Sequence, residues 1–317
     1  MLAEVVELLS PALRETTNPV VVDATAGRGG HAANLAQAAS SPPLVALFDL
    51  DPGNLAAASQ AVTVARTDAR VDAHHANFAE APRRLTASNL RANAVLADLG
   101  FSSTQMDDPA RGFAFRSSGP LDMRYDPRAA TTAFHLVNTL SEDELAEILR
   151  DYGEERAARR IASAVATARR SGQIRSTGEL AEIVRAAIPA RPRGRRRQGR
   201  GSQTTVDPAT KTFQALRIAV NDELASLDAL LEAVARGSVA ARTPGMDGWL
   251  APGARIAVIS FHSLEDRRVK RAFRSLIERG LANALTSGAA VPTEAETRRN
   301  RRARSARLRA IQLTPQL

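Results

Sequence analysis

Cysteine is absent from the sequence of 317 residues. Its absence excludes a disulfide framework and any chemistry that depends on a thiolate. Long apolar runs are absent as well, because no stretch approaches the ~18 residues that a membrane span requires. The N-terminal stretch MLAEVVELLSPAL carries acidic residues and no basic ones, which predicts an amphipathic helix rather than a signal peptide. Together these absences predict a cytoplasmic protein without a membrane segment.

Lysine is rare, because Lys211 and Lys270 are the only two lysines among the 43 basic residues. The remaining basic residues are arginines, and they are unevenly distributed. Residues 1–150 carry a formal net charge of −6, whereas residues 151–317 carry +15. A genomic bias explains the choice of arginine over lysine but not this segregation. An arginine-rich half predicts a polyanionic partner, because the guanidinium group binds phosphate in a forked, bidentate geometry.

Strand-like and helix-like stretches alternate along the first hundred residues. The strand candidates are PVVVDAT (19–25), LVALFDLD (44–51), residues 71–78 and AVLADLG (94–100). This alternation predicts a parallel sheet with helices on both faces, in which ligands bind at the carboxyl ends of the strands. Polar or aromatic side chains stand at those ends: Asp23, Asp49, Asp51, Phe78 and Asp98.

A different pattern follows. Residues 101–130 are loop-like, and residues 141–188 indicate helices only. An Arg- and Gly-rich run then precedes a single long helix, whose apolar residues from Phe213 to Val234 recur every three or four positions. The stretch GARIAVISFHS (253–263) restores a strand, and SARLRAIQL near the C-terminus predicts a closing one. The predicted fold is therefore α/β, a Rossmann-like sheet interrupted by a helical insertion.

The turn DATAGRGGH predicts a nucleotide-like ligand. Gly27, Gly29 and Gly30 permit positive φ and let the backbone approach a ligand at a helix N-terminus. A dinucleotide fingerprint would need a third glycine where Ala32 stands. An acid before the turn, Asp23, would repel a pyrophosphate but accept hydrogen bonds from an ammonium group. The turn therefore favours S-adenosylmethionine over NAD, with Asp49 on the ribose hydroxyls, although a tight turn without a ligand stays open.

Two further stretches carry candidate catalytic side chains. In ADLGFSSTQ, Asp98 ends a strand at the ligand edge, and Ser102, Ser103 and Gln105 add donors and acceptors. In VISFHSLEDRRVKR, the core strand runs directly into His262. A lone histidine is more often structural, but this position at the carboxyl end of a strand favours a role in the site.

These motifs, with LADLGFSSTQMDDPARGFAFRSSGPLDMRYD, YGEERAARRIA and DPATKTFQALRIAVNDEL, occur in the order found in the RsmH (MraW) family, which the chain resembles from about residue 20 to 271 and again in its tail. That family comprises S-adenosylmethionine-dependent 16S rRNA (cytosine-N4)-methyltransferases. The resemblance implies a class I methyltransferase sheet and methylation of cytosine 1402 in the decoding centre. It also implies cofactor contacts at these positions: Gly29, Gly30, His31, Asp49, Phe78, Asp98 and Gln105.

The predicted mechanism needs an acceptor for a hydrogen of the cytosine N4 amine. We assign that role to Asp98, assisted by Ser102 or Ser103, while His262 orients the base or relays the proton. An in-line methyl transfer needs no metal, and the sequence shows no metal-binding cluster. RNA contacts are predicted at Arg111, Phe113, Arg116, Arg124, Lys211 and Arg217 and in the Arg-rich run.

The predicted domains are a discontinuous methyltransferase domain, residues 1–108 and 209–317, and a substrate-recognition insertion, residues 109–208, with a mobile Arg-rich segment at 190–203. The expected partner is 16S rRNA within the small ribosomal subunit, and a homodimer stays open. Three rival functions remain at this point: an NAD-dependent oxidoreductase, a non-catalytic RNA-binding assembly factor, and a methyltransferase acting on another amine.

Overall fold

A computed structural model describes residues 1–188 and 207–315. Two compact units divide the chain. The sheet unit comprises Met1–Gly100 and Leu224–Leu317, and the helical unit comprises Phe101–Glu223. The predicted boundaries differ from these units, since residues 101–108 and 209–223 pack with the helices rather than with the sheet. The predicted mobile segment, residues 190–203, lies outside the described residues.

The sheet unit contains seven strands in the order β3-β2-β1-β4-β5-β7-β6 among its described residues. Their bounds are β1 Val20–Asp23, β2 Leu44–Asp49, β3 Arg70–His75, β4 Ala92–Asp98, β5 Leu250–Ser260, β6 Ala282–Ala284 and β7 Arg307–Leu313. The first five strands are parallel, and β7 runs antiparallel to β5 and β6. The predicted Rossmann-like sheet and its closing C-terminal strand are confirmed.

Helices flank the sheet, and α2, α3 and α4 connect parallel strands by crossovers. The helices are α1 Leu2–Arg14, α2 Gly30–Ala38, α3 Pro52–Ala65 and α4 Ala81–Ala87 in the first part of the sheet unit, with α12 Ser263–Glu278 and α13 Glu294–Arg299 in its second part. Side chains of β1 alternate between two apolar clusters, since Val21 packs on one face of the sheet and Val20 and Val22 pack on the other. Burial of both faces is what a parallel sheet with helices on both sides requires.

The helical unit has its own core. Its helices are α5 Ser103–Asp107, α6 Ala133–Thr139, α7 Glu142–Asp151, α8 Ala158–Ser171, α9 Thr177–Ala187 and α10 Ala209–Asn221. Capping boxes begin α7 at Ser141 with Glu144 and α9 at Ser176 with Glu179. Each box satisfies backbone N–H groups at the helix start, so these short sequence patterns fix where the two helices begin.

The single long helix predicted for residues 213–234 is wrong. The chain forms α10 and then α11 Glu223–Ala240, and the break lies at Asp222, whose φ is +49°. Phe213 and Leu216 pack in the core of the helical unit, whereas Leu227 and Leu231 pack in a core cluster of the sheet unit. The apolar periodicity is real, but its two halves serve two different cores.

Along residues 1–188 and 207–315, no helix combines the length and the apolar character needed to cross a membrane.

A close approach between α11 and β5 supplies a test of the core. An ideal Cβ added to Gly237 would lie 2.8 Å from Nε1 of Trp249 and 3.0 Å from Cδ1 of Leu250. The indole is 3% exposed and donates to the carbonyl of Ala233 at 3.0 Å. Although alanine is the better helix former by ~1 kcal/mol, Gly237→Ala should lower the free energy of unfolding by about 1–2 kcal/mol through overpacking. Urea unfolding measures this change.

The control is the same substitution in a Trp249→Leu background, where the smaller side chain makes room for the new methyl group. The cost of Gly237→Ala should then shrink or disappear. A stability gain from Gly237→Ala in the wild-type background would contradict the packing argument.

Candidate active site

In the glycine turn between β1 and α2, one glycine allows close packing of two helices and the next one faces open space. Gly27 and Gly29 have φ of +51° and +80°, and Gly29 is the N-cap of α2. An ideal Cβ on Gly29 would lie 2.6 Å from Cα of Ala58, so α2 and α3 pack closely only with glycine there. A Cβ on Gly30 would meet nothing within 4 Å. The backbone at Gly30 therefore faces open space at a helix N-terminus, where N–H groups lack intrahelical partners.

Asp23 is a buried carboxylate at the end of β1. It is 1% exposed and accepts a hydrogen bond from the N–H of Thr25 at 3.2 Å. Burial raises the pKa of Asp23 to about 7, and the nearby charges of Asp98 and Asp49 raise it further. A cation placed beside this carboxylate would relieve the cost of its burial.

Asp49 ends the neighbouring strand β2 and is bound to the glycine turn. Its Oδ2 accepts the N–H of Gly27 at 2.8 Å, and its Oδ1 accepts the N–H of Asp51 at 2.8 Å. Burial raises the pKa of Asp49 above its ordinary value. Asp51 itself caps α3 through the N–H groups of Gly53 and Asn54. Of the two acids that follow β2, Asp51 is thus the capping residue and Asp49 faces the turn.

Asp98 ends β4 and presents an acceptor atom with no partner. Its Oδ1 is buried and has no hydrogen-bond partner within the described part of the chain. Its backbone N–H donates to Oγ1 of Thr25 at 2.6 Å, which fixes the strand end. Burial raises the pKa of Asp98 to about 7, and the charge of Glu265 acts in the same direction. An orphaned buried acceptor is costly, so its retention indicates a ligand donor.

His31 lies beside Asp98 without neutralising it. Its Nδ1 is 3.6 Å from Oδ2 of Asp98. Burial lowers the pKa of His31 to about 4, so the imidazole is neutral near pH 7. His31 therefore supplies no positive charge to Asp98 at this pH.

His262 follows β5 and caps α12. Its Nδ1 accepts the N–H of Glu265 at 3.4 Å, while Oε2 of Glu265 accepts the N–H of Phe261 at 2.8 Å. Because Nδ1 accepts this hydrogen bond, the N–H of the ring lies on Nε2. That atom is buried 3.1 Å from Oε1 of Glu265, but the alignment is not that of a hydrogen bond. His262 has a definite capping role, and its catalytic role stays a prediction.

Phe78 follows β3 at the same edge of the sheet, half-buried against the apolar cluster beneath it. It begins a short 3-10 turn that Asn77 caps through the N–H of Ala79 at 2.9 Å. The Nδ2 of Asn77 also donates to Oγ of Ser226 at 2.8 Å. Asn77, Thr25 and Glu265 are site residues that the sequence interpretation did not single out. Their signal was their position, directly beside predicted strand ends.

The remaining predicted catalytic residues belong to the helical unit. Ser102 caps α5 in a capping box with Gln105, whose Oε1 accepts the N–H of Ser102 at 2.9 Å. Gln105 is 5% exposed. Ser103 is the first residue of α5. The cofactor role of Gln105 and the catalytic roles of both serines stay predictions.

The residues predicted to contact RNA are mostly engaged inside the helical unit. Arg124 forms a bidentate pair with Asp122, and Arg217 forms one with Glu223 at 2.7 and 2.9 Å. The guanidinium of Arg111 donates to the carbonyls of Arg124 and Tyr125, and Nζ of Lys211 donates to the carbonyl of Glu154. Such side chains hold the fold of the unit, and their contact with RNA stays a prediction.

Phe113 and Arg116 differ from each other in accessibility. Phe113 is 6% exposed and stacks with Phe101 and Tyr125 at centroid distances of 5.1 and 5.6 Å. The ring of Phe113 is therefore a core element of the helical unit, and its contact with RNA stays a prediction. Arg116 is exposed, which keeps it accessible to a polyanion.

The fold and the site together define a class I methyltransferase. The sheet has five parallel strands and an antiparallel strand inserted between β5 and β6. Its carboxyl edge joins a glycine turn to acids at the ends of β1, β2 and β4. The chain belongs to the MraW methylase family, whose model matches residues 1–314.

Curated relatives share much of the sequence over nearly the whole chain. The protein named ribosomal RNA small subunit methyltransferase H from Sorangium cellulosum is 43% identical over 309 residues, covering 97% of this chain and 87% of that protein. Its namesake from Acidothermus cellulolyticus is 45% identical, covering 98% and 92%. That from Cyanothece sp. is 44% identical, covering 92% and 87%.

The raised pKa of Asp23 predicts how stability depends on pH. The folded carboxyl keeps its proton up to about pH 7, whereas an unfolded one loses it near pH 4. The stability this group contributes is therefore present below about pH 4 and lost as the pH rises to 7. Asp23→Asn should raise the free energy of unfolding of the ligand-free protein by on the order of 4 kcal/mol at pH 8 and by almost nothing at pH 4.

Thermal unfolding at the two pH values measures this difference. Asp68→Asn is the control, because Asp68 is exposed and its pKa is lowered by the hydrogen bond from Arg66. That variant should show no stability gain at pH 8. An equal effect of Asp23→Asn at both pH values would refute the assignment of a costly buried charge.

Proposed function

We propose that the protein transfers a methyl group from S-adenosylmethionine to the N4 amine of a cytosine in small-subunit rRNA, namely cytosine 1402 of the decoding centre. The observation that carries the proposal is the buried, unpartnered Oδ1 of Asp98 at the carboxyl end of β4. Family membership supplies the reaction class, and the names of the curated relatives favour ribosomal RNA as substrate.

The residues at the sheet edge fit S-adenosylmethionine. Ionisation of the buried Asp23 is unfavourable, and the ammonium group of the cofactor's amino-acid part would offset that cost. The open backbone at Gly30 can receive the carboxylate of the same part at the start of α2. Asp49 would accept from the ribose hydroxyls, and Phe78 would pack beside the adenine. When bound, the cofactor supplies an electrophilic methyl group on a sulfonium.

Asp98 would activate the amine. The N4 lone pair of cytosine is delocalised into the ring, which makes the nitrogen a poor nucleophile. An oriented acceptor on one N4 hydrogen favours the pyramidal nitrogen and localises the lone pair toward the methyl group. The acceptor is strongest when Asp98 is ionised, which its raised pKa of about 7 makes dependent on pH.

The proton needs no strong base. As the new N–C bond forms and the S–C bond breaks, the N4 nitrogen becomes cationic and its hydrogens become acidic. Oδ1 of Asp98 can then accept one of them. His262 carries its proton on Nε2 and borders the same edge from the end of β5, so it is suited to hold the base by donating to an acceptor on the pyrimidine.

The target cytosine must leave its stack to reach the sheet edge. Unpaired RNA allows this at low cost, since bases in single strands and loops can be splayed out. Arg116 is an accessible cation of the helical unit for the flanking phosphates. Contacts to phosphate predict that affinity falls steeply with salt.

Asp98→Asn should lower methyl transfer by about 100-fold to 1000-fold, since it removes the charge of the acceptor while preserving its shape. The assay uses labelled S-adenosylmethionine at saturating concentration and small-subunit rRNA, with the label mapped to N4. In the wild type, the rate at limiting substrate should rise with pH through about 7, where Asp98 loses its proton.

Asp72→Asn is the matched control, because it removes a half-exposed carboxylate of β3 that pairs with His74 rather than with the site. It should keep wild-type activity. Label in duplex DNA or protein but not in rRNA would indicate another amine substrate. RNA binding without transfer to any substrate would indicate an assembly factor and would overturn the proposal.

The glycine turn gives an independent test of cofactor binding. Gly30→Ala adds a methyl group that meets no protein atom within 4 Å, so the unfolding temperature of the ligand-free protein should stay the same. Its Kd for S-adenosylmethionine, measured by calorimetry, should rise by about tenfold or more, because the methyl group occupies the space in which the ligand would lie.

Gln37→Ala, in the last turn of the same helix, is the control and should bind the cofactor normally. Tight binding of S-adenosylmethionine by Gly30→Ala would place the ligand elsewhere. Binding of NADH instead of S-adenosylmethionine would support the alternative function of an NAD-dependent oxidoreductase.

A further inference from the structure

A groove with an arginine-lined wall lies in the sheet unit between α11 and α12. Its volume is about 640 Å³. Leu231, Leu264 and Leu276 form an apolar floor, and the wall formed by α12 carries Arg267, Arg271, Ser275 and Arg279. These four positions are separated by four residues each, so they form one row along the helix.

We propose that this groove binds the phosphate backbone of the RNA substrate, away from the reacting base. The identification of the polyanion as RNA rests on the proposed function. The row from Arg267 to Arg279 spans about 18 Å, at ~1.5 Å per helical residue. It therefore offers a continuous path rather than a single anion site.

The acids of α12 are either buried near its start or, in the case of the exposed Glu278, paired with Arg274 at 2.7 Å. Its acids near the start are buried: Glu265 caps the helix, and Asp266 pairs with Arg309 at 2.8 and 3.1 Å. Arg271 and Arg279 are exposed and have no acidic partner within the described residues. These two arginines are unpaired on the solvent-exposed face, while the buried acids of the helix are neutralised. Such a surface is complementary to a polyanion.

The acids of the opposite wall do not cancel this charge. Asp228 of α11 pairs with Arg268 at 3.1 Å, and Glu232 lies 3.7 Å from Nη1 of Arg236. The forked guanidinium groups of the arginine row match phosphate oxygens. No aromatic side chain lines the groove, so bases find no stacking platform there. The groove therefore fits the phosphate backbone rather than the bases. Contacts of this kind position RNA but do not recognise its sequence.

The groove begins next to the candidate active site. The helix α12 starts at Ser263, directly after His262, whereas Asp98 and Ile259 are register partners on adjacent strands. A strand of RNA with its target nucleotide at this edge can thus continue along α12. This location assigns the arginine row to binding and not to the methyl-transfer step.

The test compares two double variants that each remove two exposed positive charges without an acidic partner among the described residues. Arg271→Gln with Arg279→Gln removes two of the three arginines of the row, whereas Lys270→Gln with Arg70→Gln removes charges of the sheet unit that lie outside the groove. The probe is naked small-subunit rRNA, with Kd measured by fluorescence anisotropy over a series of salt concentrations.

The groove variant should bind about tenfold more weakly at 0.1 M salt, and its slope of log K against log salt should fall by about 1.4, for two lost single-strand phosphate contacts. Its KM for RNA should rise while kcat and cofactor affinity stay unchanged. The control variant should match the wild type within about twofold. Equal behaviour of the two variants would overturn the proposal.

Other outcomes separate this proposal from the proposed function. A wild type that binds rRNA through the groove but transfers no methyl group would refute the proposed function alone. A wild type that methylates rRNA, with both variants unimpaired, would refute the groove alone. A loss of binding to intact small subunits but not to naked rRNA would indicate a protein partner and would also overturn the groove proposal.

Discussion

The site depends on the placement of three carboxylates at one edge of a parallel sheet. The ends of β1, β2 and β4 lie side by side, so Asp23, Asp49 and Asp98 share one edge, where Asp23 is buried and the other two are partly buried. Burial raises the pKa of each of them, which means that the folded protein bears a cost when they ionise. The apolar faces of the sheet supply the stability that offsets this cost. A cationic ligand of the kind proposed above would recover this cost.

The neutral state of His31 is part of the same arrangement. A protonated imidazole 3.6 Å from Asp98 would neutralise the carboxylate and occupy the role of the ligand. Burial prevents this by lowering the pKa of His31 to about 4. Thr25 contributes in a different way, since its hydroxyl accepts the N–H of Asp98 and so fixes the backbone from which the carboxylate projects. Charge and orientation of Asp98 are thus set by separate neighbours.

Local patterns sufficed to predict the sheet and most of its edge. Each strand end and the glycine turn lie within a few consecutive residues, so the period of the apolar residues and the turn residues identify them directly. The helix from Phe213 to Val234 was mispredicted because periodicity reports an apolar face but not which core receives it. The hydrogen-bond and ion-pair partners of Arg217 and Lys211 could not be predicted from the sequence either. Ion pairing depends on the folded positions of Glu223 and of the Glu154 carbonyl, and an arginine within the chain looks the same whether it is paired or not.

The arginines divide into those that form ion pairs within the fold and those that are left accessible to a partner. Arg124 and Arg217 form bidentate pairs with neighbouring carboxylates, and a phosphate would have to displace those carboxylates before it could bind. Displacement would leave a carboxylate unpaired, at a cost that a solvent-exposed phosphate contact does not offset. Arg271 and Arg279 carry no such cost, because they are exposed and the two acids that line the same groove already pair with other arginines. An excess of basic residues therefore does not by itself identify a polyanion surface. Such a surface is identified by arginines whose charge the fold leaves uncompensated along one continuous groove, as at Arg271 and Arg279.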